Sequence, residues 1–102
     1  MTEKIENQWC IRKGVMFFPV GIGKIEAEDE RTADVRYSEG QLYLPEVWDK
    51  KYLERFPTFQ AMVEKYAEYQ KLPLKMMMEA CLRKFPSQKT LQEGGESYAA
   101  NE

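Results

Sequence analysis

The two cysteines, Cys10 and Cys81, are the side chains best suited to covalent chemistry in this chain of 102 residues. A thiol needs a neighbouring base or cation to become a good nucleophile, and the chain contains no histidine to supply one. Cys81 also falls on the apolar stripe of a predicted helix, where a cysteine acts as a small hydrophobic residue. We therefore expect no catalytic residue and interpret the chain as a protein that is not an enzyme.

Other reactive patterns are equally incomplete. Residues 21–24, Gly-Ile-Gly-Lys, suggest a phosphate-binding loop, but they lack the spacing of the nucleotide-binding signatures, and a strand follows them. The acidic residues between positions 26 and 34 lack the glycine and carboxylate spacing of a calcium loop. Without histidine, the usual zinc sites are also excluded. We expect neither a metal site nor a cofactor, and interpret the two glycines as a bulge or a tight entry into a strand.

Residues 15–20, Val-Met-Phe-Phe-Pro-Val, form an apolar run that does not alternate with polar residues. Pro19 cannot donate a ladder hydrogen bond, so the run is predicted to be a loop or an edge segment. Phe17 and Phe18 point in opposite directions if the segment is extended, so one ring can enter the core while the other needs a different cover. Either the helices bury both rings, or one of them contacts a partner, with Met16 nearby.

A second candidate surface is basic. Lys50, Lys51 and Arg55 lie close to the aromatic residues Trp48 and Tyr52 in the sequence. Nucleic-acid sites combine such cations with aromatic side chains on one face. Acidic side chains interleave with these cations, which favours an ordinary solvated surface over a nucleic-acid site.

The positions of these residues follow from two patterns along the chain. Apolar and polar residues alternate over much of residues 7–45, which predicts a small antiparallel meander or barrel, with a last short strand beginning at residues 41–44. Apolar residues then recur at helical spacing, so three helices are predicted at residues 46–55, 58–70 and 74–85. The fold class is therefore α+β.

The second and third helices are predicted to cover the sheet, because a sheet with one apolar face needs a covering layer. We expect the covered face to carry Ile25, Val35 and Tyr37. The helical side chains expected against it are Met62, Val63, Tyr66, Leu74, Met78, Cys81 and Leu82.

The composition limits the class of protein to which the chain can belong. A hydrophobic share of 43% and a charged share of 31% are typical of a small globular domain and argue against global disorder. We assign residues 1–86 to one domain and residues 87–102, which are polar and lack a periodic pattern, to a flexible tail. No secretory signal or membrane segment is evident, so we expect a cytoplasmic protein.

Three sequence segments resemble the small SH3-like barrels of the Tudor, KOW and CarD type. These are Val20-Gly21-Ile22-Gly23-Lys24-Ile25, Val35-Arg36-Tyr37-Ser38-Glu39-Gly40 and Leu44-Pro45, and the outline covers residues 9–45. Barrels of this kind bind peptides, polymerase subunits or nucleic acid through their loops and one sheet face. The resemblance implies a binding module without selecting its ligand.

The sequence therefore favours a small non-catalytic protein-interaction module or accessory protein. Its expected partner is another protein or a second copy of the chain, contacted through Met16, Phe17 and Phe18. No membrane partner and no small-molecule cofactor is expected. The alternative is a nucleic-acid-binding accessory domain that uses the barrel with Lys50, Lys51 and Arg55. The net charge of −2 argues against it, because nucleic-acid binding depends on phosphate contacts.

Overall fold

A computed structural model describes residues 5–40 and 44–89, which form five strands and two α-helices. The strands are β1 (Trp9–Lys13), β2 (Pro19–Glu28), β3 (Thr32–Arg36), β4 (Glu46–Asp49) and β5 (Leu53–Phe56). The helices are α1 (Phe59–Gln70) and α2 (Leu74–Lys84). The α+β class predicted from the sequence is confirmed.

All strand pairs are antiparallel, and the order across the sheet is β4-β3-β2-β1-β5. The first four strands form a meander; β1, β2 and β3 overlap the predicted strands, whereas β4 lies in a segment predicted to be a helix. Strand β5 returns to pair with β1. In a flat sheet, β4 and β5 would lie roughly 19 Å apart. Only a three-residue 3-10 turn, Lys50–Tyr52, joins them, and the peptide links from Asp49 to Leu53 reach about 14 Å at most. The sheet must therefore curl, although no pairing between β4 and β5 closes it into a barrel in the described residues.

The curled sheet has a core on each face. On the helix-facing side, Trp9, Ile11 and Ile22 pack against α1 and α2. The ring of Trp9 makes edge contacts with Phe59 and Phe85, at centroid distances of 5.0 and 5.1 Å. The helical members of this core are Phe59, Met62, Val63, Ala67, Met77 and Cys81, with Phe85 just beyond α2.

The inner face of the sheet forms the second core. Cys10, Ile25, Val35 and Leu53 are buried there, together with Ala33. The prediction that the helices cover Ile25, Val35 and Tyr37 is therefore wrong. Because the sheet curls, these side chains are buried by its own strands, and the helices cover the opposite face of β1 and β2.

The predicted helix at residues 46–55 is also wrong. This segment consists of β4, the 3-10 turn and β5. Val47, Trp48 and Tyr52 occur at spacings that suited a helix, but β-branched and aromatic residues favour strands as well. Pairing with β3 and β1 decides between these conformations, and the side chain of Asp49 accepts a hydrogen bond from the Lys51 amide at 3.0 Å to fix the turn.

The two later helices are confirmed. Thr58 caps α1 by accepting a hydrogen bond from the Ala61 amide at 3.0 Å, and Lys71 ends it in the left-handed conformation at φ 58°. The link to α2 ends at Pro73, which precedes the first helical residue. Leu74, predicted to be buried, is 42% exposed, because it starts α2 at the corner between the helices.

Parts of two predicted segments lie outside the described residues: the strand at residues 41–44, except Leu44, and the tail from residue 90 onward. At the start of the predicted tail, the Ser87 amide donates a hydrogen bond of 2.8 Å to the Glu39 carboxylate. This bond ties the end of α2 to the loop after β3. None of the helices in the described ranges is long and apolar enough to cross a membrane.

Candidate protein-binding surface

The predicted partner residues lie in the connection between β1 and β2. Val15–Phe17 form a 3-10 turn. The Gly14 amide donates to the Phe18 carbonyl at 2.8 Å, and the Phe17 amide donates to the Gly14 carbonyl at 2.9 Å. Strand β2 then begins at Pro19, a position where the missing donor is tolerated. The predicted loop is present at residues 15–18, and its own backbone hydrogen bonds give it a defined shape. The prediction is wrong for Pro19 and Val20, which begin the central strand β2 instead of lying in a loop or at an edge.

The apolar side chains of this connection are exposed to solvent. We call Val15, Met16, Phe17, Phe18 and Val20 the apolar loop; their exposed fractions are 85, 82, 55, 67 and 52%. The alternative that the helices bury both rings is wrong, because both are more than half exposed. The alternative that one ring contacts a partner stays a prediction. The tight turn projects the two rings away from both cores.

The backbone of the apolar loop is strained. Met16 and Phe17 have φ values of 57° and 59°. A residue with a Cβ loses roughly 1–2 kcal/mol in this left-handed region, and glycine is the usual occupant. Two successive bulky residues therefore adopt an unfavourable conformation and remain exposed. Neither the backbone energy nor burial in a core explains their presence.

Tyr52 extends this surface from the neighbouring turn, because β5 starts beside the end of β1. It ends the turn between β4 and β5, and its ring lies 5.4 Å from that of Phe17 with an interplanar angle of 31°. The Lys51 ammonium lies 5.2 Å from the centroid of the Tyr52 ring. The spacing of apolar residues predicted Tyr52 on a helix and gave no signal of this contact, because only the return of β5 to β1 brings the two turns together.

The three residues of the predicted basic surface have different environments. Arg55 forms a bidentate ion pair with Glu28, at 2.7 and 3.1 Å, and Lys50 binds the same carboxylate at 3.0 Å. Hydrogen bonds from Arg55 and Lys50 lower the pKa of Glu28 to about 2. Lys51 forms no ion pair with any residue in the described ranges. The structure thus brings Lys50 and Arg55 together on a carboxylate and places Lys51 beside the aromatic pair.

Arg12 fills the open end of the inner core. Its guanidinium carbon lies 3.7 Å from the centroid of the Tyr37 ring, and its Nε donates to the Ile22 carbonyl at 3.0 Å. The Trp48 ring lies further away, and its Nε1 donates to the Tyr37 hydroxyl at 2.8 Å. A Cβ on Gly21 would lie 2.0 Å from the guanidinium. Gly21 therefore leaves space for this arginine. Both glycines lie within β2, whereas the sequence predicted a bulge or a tight entry before the strand.

The cysteines are buried in the two cores. Burial raises the pKa of Cys10 to about 12 and that of Cys81 to about 11. Both thiols are therefore neutral near pH 7 and poor nucleophiles. In residues 5–40 and 44–89, no three potential metal ligands lie close enough together to hold an ion.

The chain matches no protein-family model, no curated protein and no solved structure at a significant level.

Proposed function

We propose that this protein is a non-catalytic interaction module that binds a protein partner through the apolar loop and Tyr52. The observation that carries the proposal is the exposure of five apolar side chains in one strained turn. Contiguous exposed apolar surface on a small protein usually marks an interaction site. The strain adds a second argument, because backbone strain that folding does not require is typical of functional sites.

We propose also that the fold is related to the SH3-like barrels. The meander, the pairing of β5 with β1 and the short turn between β4 and β5 support this relationship. Gly21 and Gly23 belong to the segments that resemble these barrels and lie in β2. Their lack of a side chain leaves room for Arg12 and Val35 of the neighbouring strands. The apolar loop would then be one of the loops through which such modules bind their ligands.

Nucleic-acid binding through Lys50, Lys51 and Arg55 remains the alternative proposal. The ion pairs of Lys50 and Arg55 with Glu28 argue against it, because a phosphate would have to compete with a bidentate carboxylate. Such binding would weaken steeply between low and moderate salt, whereas an apolar interface would change little.

The test is capture of partners from the native host, in nuclease-treated lysate, with Phe17→Ala, Phe18→Ala and a control, Val47→Ala. Val47 is 65% exposed on β4 and has a similarly apolar side chain. We expect one partner to be retained by the wild type and by Val47→Ala but lost by a phenylalanine variant whose melting temperature is unchanged. Sedimentation of the same variants tests whether that partner is a second copy. Capture and self-association that are identical in all variants would contradict the proposal.

A further inference from the structure

The cations around the apolar loop differ in whether a carboxylate neutralises them. Lys13 pairs with Glu54 at 2.7 Å, and Lys50 pairs with Glu28 at 3.0 Å. Lys51 has no ion pair in the described part of the chain, is exposed, and lies against the ring of Tyr52. The charge left without a partner near the aromatic pair is therefore positive.

A second copy of this chain is a poor occupant for this surface. In a symmetric dimer the same patch meets itself, so the two Lys51 ammonium groups would approach each other. Like charges at an interface oppose association. An anionic membrane is also disfavoured, because a lipid surface attracts local clusters of several basic residues, whereas Lys50 and Lys13 on this side are paired with carboxylates. A short acidic segment of another protein would contact only the residues of this surface, where the charge without a partner is positive.

We propose that the partner of this surface is a peptide segment with an aromatic or aliphatic anchor and an adjacent acidic side chain. The anchor packs on the apolar loop and the ring of Tyr52, and the carboxylate pairs with Lys51. This inference rests on the proposed function, which it makes specific. The Lys51 ammonium group can pair with the carboxylate while it stays over the ring of Tyr52, because it has three hydrogen-bond donors.

The experiment uses three synthetic peptides with the same central Phe-Leu pair, flanked by Asp and Glu, by Ser and Gln, or by Lys. Binding to the full chain is measured by fluorescence anisotropy, with amide chemical shifts locating the site. We expect the acidic peptide to bind about 2- to 5-fold more tightly than the neutral one, as one partly exposed ion pair allows. Raising the salt from about 50 to 300 mM should reduce that difference, because exposed charges are screened.

Reversing the charge at position 51 tests whether Lys51 is responsible for the preference for the acidic peptide. In Lys51→Glu the order should reverse, so that the Lys-flanked peptide binds best, while Lys75→Glu, an exposed control on α2, keeps the wild-type order. The inference is overturned if no peptide binds, if the neutral peptide binds as tightly as the acidic one, or if the order survives in Lys51→Glu. Sedimentation with vesicles of phosphatidylcholine and phosphatidylserine covers the membrane: loop-dependent pelleting without a peptide preference would also overturn it.

The outcomes separate this inference from the proposed function. If all three peptides bind equally and Phe17→Ala or Phe18→Ala abolishes binding, the apolar loop is an interaction site without a preference for acidic partners. If the peptides bind and no variant of the loop changes their affinity, both proposals fail. Melting temperatures of all variants exclude unfolding as the cause.

Discussion

At the scale of single residues, Gly23 is a position where an added side chain would clash with the inner core. It pairs with Cys10 across β1 and β2, and an added Cβ would lie 2.4 Å from Val35 Cγ1 and 3.5 Å from the Cys10 sulfur. Both neighbours are fully buried in the inner core. They cannot move into solvent, so an added methyl group must displace packed atoms.

We therefore expect Gly23→Ala to lower the free energy of unfolding by about 1–3 kcal/mol, the usual range for overpacking. Urea denaturation measures this change. In the double variant Gly23→Ala/Val35→Ala, the loss should be smaller than the sum of the two single losses, because the valine methyl that clashes is gone. Strictly additive losses would show that the clash with Val35 is not the cause.

The carboxyl group of Glu28 makes the stability of the fold depend on pH in the acid range. The pKa of its carboxyl is lowered from 4.5 to about 2 by hydrogen bonds from Arg55 and Lys50. The unfolded chain binds a proton at this site first, so the ion pairs stabilise the fold above pH 4.5 and lose that contribution as the pH falls towards 2. Glu28→Gln should therefore be less stable than the wild type at pH 7, with a difference that narrows between pH 5 and 2.

Unfolding in urea at several pH values tests this expectation. Glu30→Gln is the matched control, because Glu30 is exposed in the same turn and forms no ion pair in the described ranges. A constant difference between the wild type and Glu28→Gln from pH 7 to 2 would contradict the assignment.

At the scale of elements, the turn between β1 and β2 combines strain with exposure. Met16 is 82% exposed at φ 57°, so glycine at this position would relieve backbone strain and remove no buried contact. The greater freedom of glycine in the unfolded chain offsets part of this gain. We expect the free energy of unfolding of Met16→Gly to stay within about 0.5 kcal/mol of the wild type or to rise.

Thermal and urea denaturation measure this, with Ile22→Gly as a contrast in the helix-facing core. Partner capture by Met16→Gly should fall, because the side chain belongs to the proposed surface. A loss of stability above about 1 kcal/mol would show that Met16 supports the fold.

The packing of the helices on the sheet depends on one face of each helix. Met62 is fully buried between α1 and the sheet, whereas Leu74, at the start of α2, is 42% exposed. Met62→Ala should cost about 2–5 kcal/mol, the range for cavities in a core, and Leu74→Ala should cost less than about 1 kcal/mol. Equal losses in urea denaturation would mean that the start of α2 contributes to the core as much as α1 does.

At the scale of the whole molecule, β1 connects the two cores. Trp9 and Ile11 face the helices, Cys10 faces the inner core, and the strand pairs with β2 on one side and β5 on the other. Strand β4, in contrast, has four residues and pairs only with β3 in the described part of the chain. The backbone hydrogen bonds of β1 should therefore be more stable than those of β4.

We expect the amides of Cys10 and Ile11 to exchange with deuterium at the rate of global unfolding, while those of β4 exchange through local opening. Native-state hydrogen exchange at increasing urea concentration distinguishes the two. If β4 were as protected as β1, the sheet would be closed in solution by contacts that tie its two edge strands together.

Local spacing along the chain was enough to predict the elements with strong periodic patterns. The two later helices follow from apolar spacing and from Thr58 and Pro73 at their starts, and β3 follows from strict alternation. The apolar run that became the candidate site was also visible, because it lacks any alternation. Patterns of this kind depend on neighbours within a few residues, and the chain carries them wherever it folds.

The face of the sheet that the helices cover, and the conformation of residues 46–55, depend on tertiary contacts. A short segment rich in valine and aromatic residues suits a helix or a strand, and its pairing with β1 and β3 selected the strands. The curl of the sheet assigned Ile25 and Val35 to an inner core and left the other face of β1 and β2 to the helices. It also brought the ring of Tyr52, with Lys51 over it, beside the ring of Phe17. The contact between Phe17 and Tyr52 joins residues more than thirty positions apart, and it depends on strand order and curvature, which local spacing does not encode.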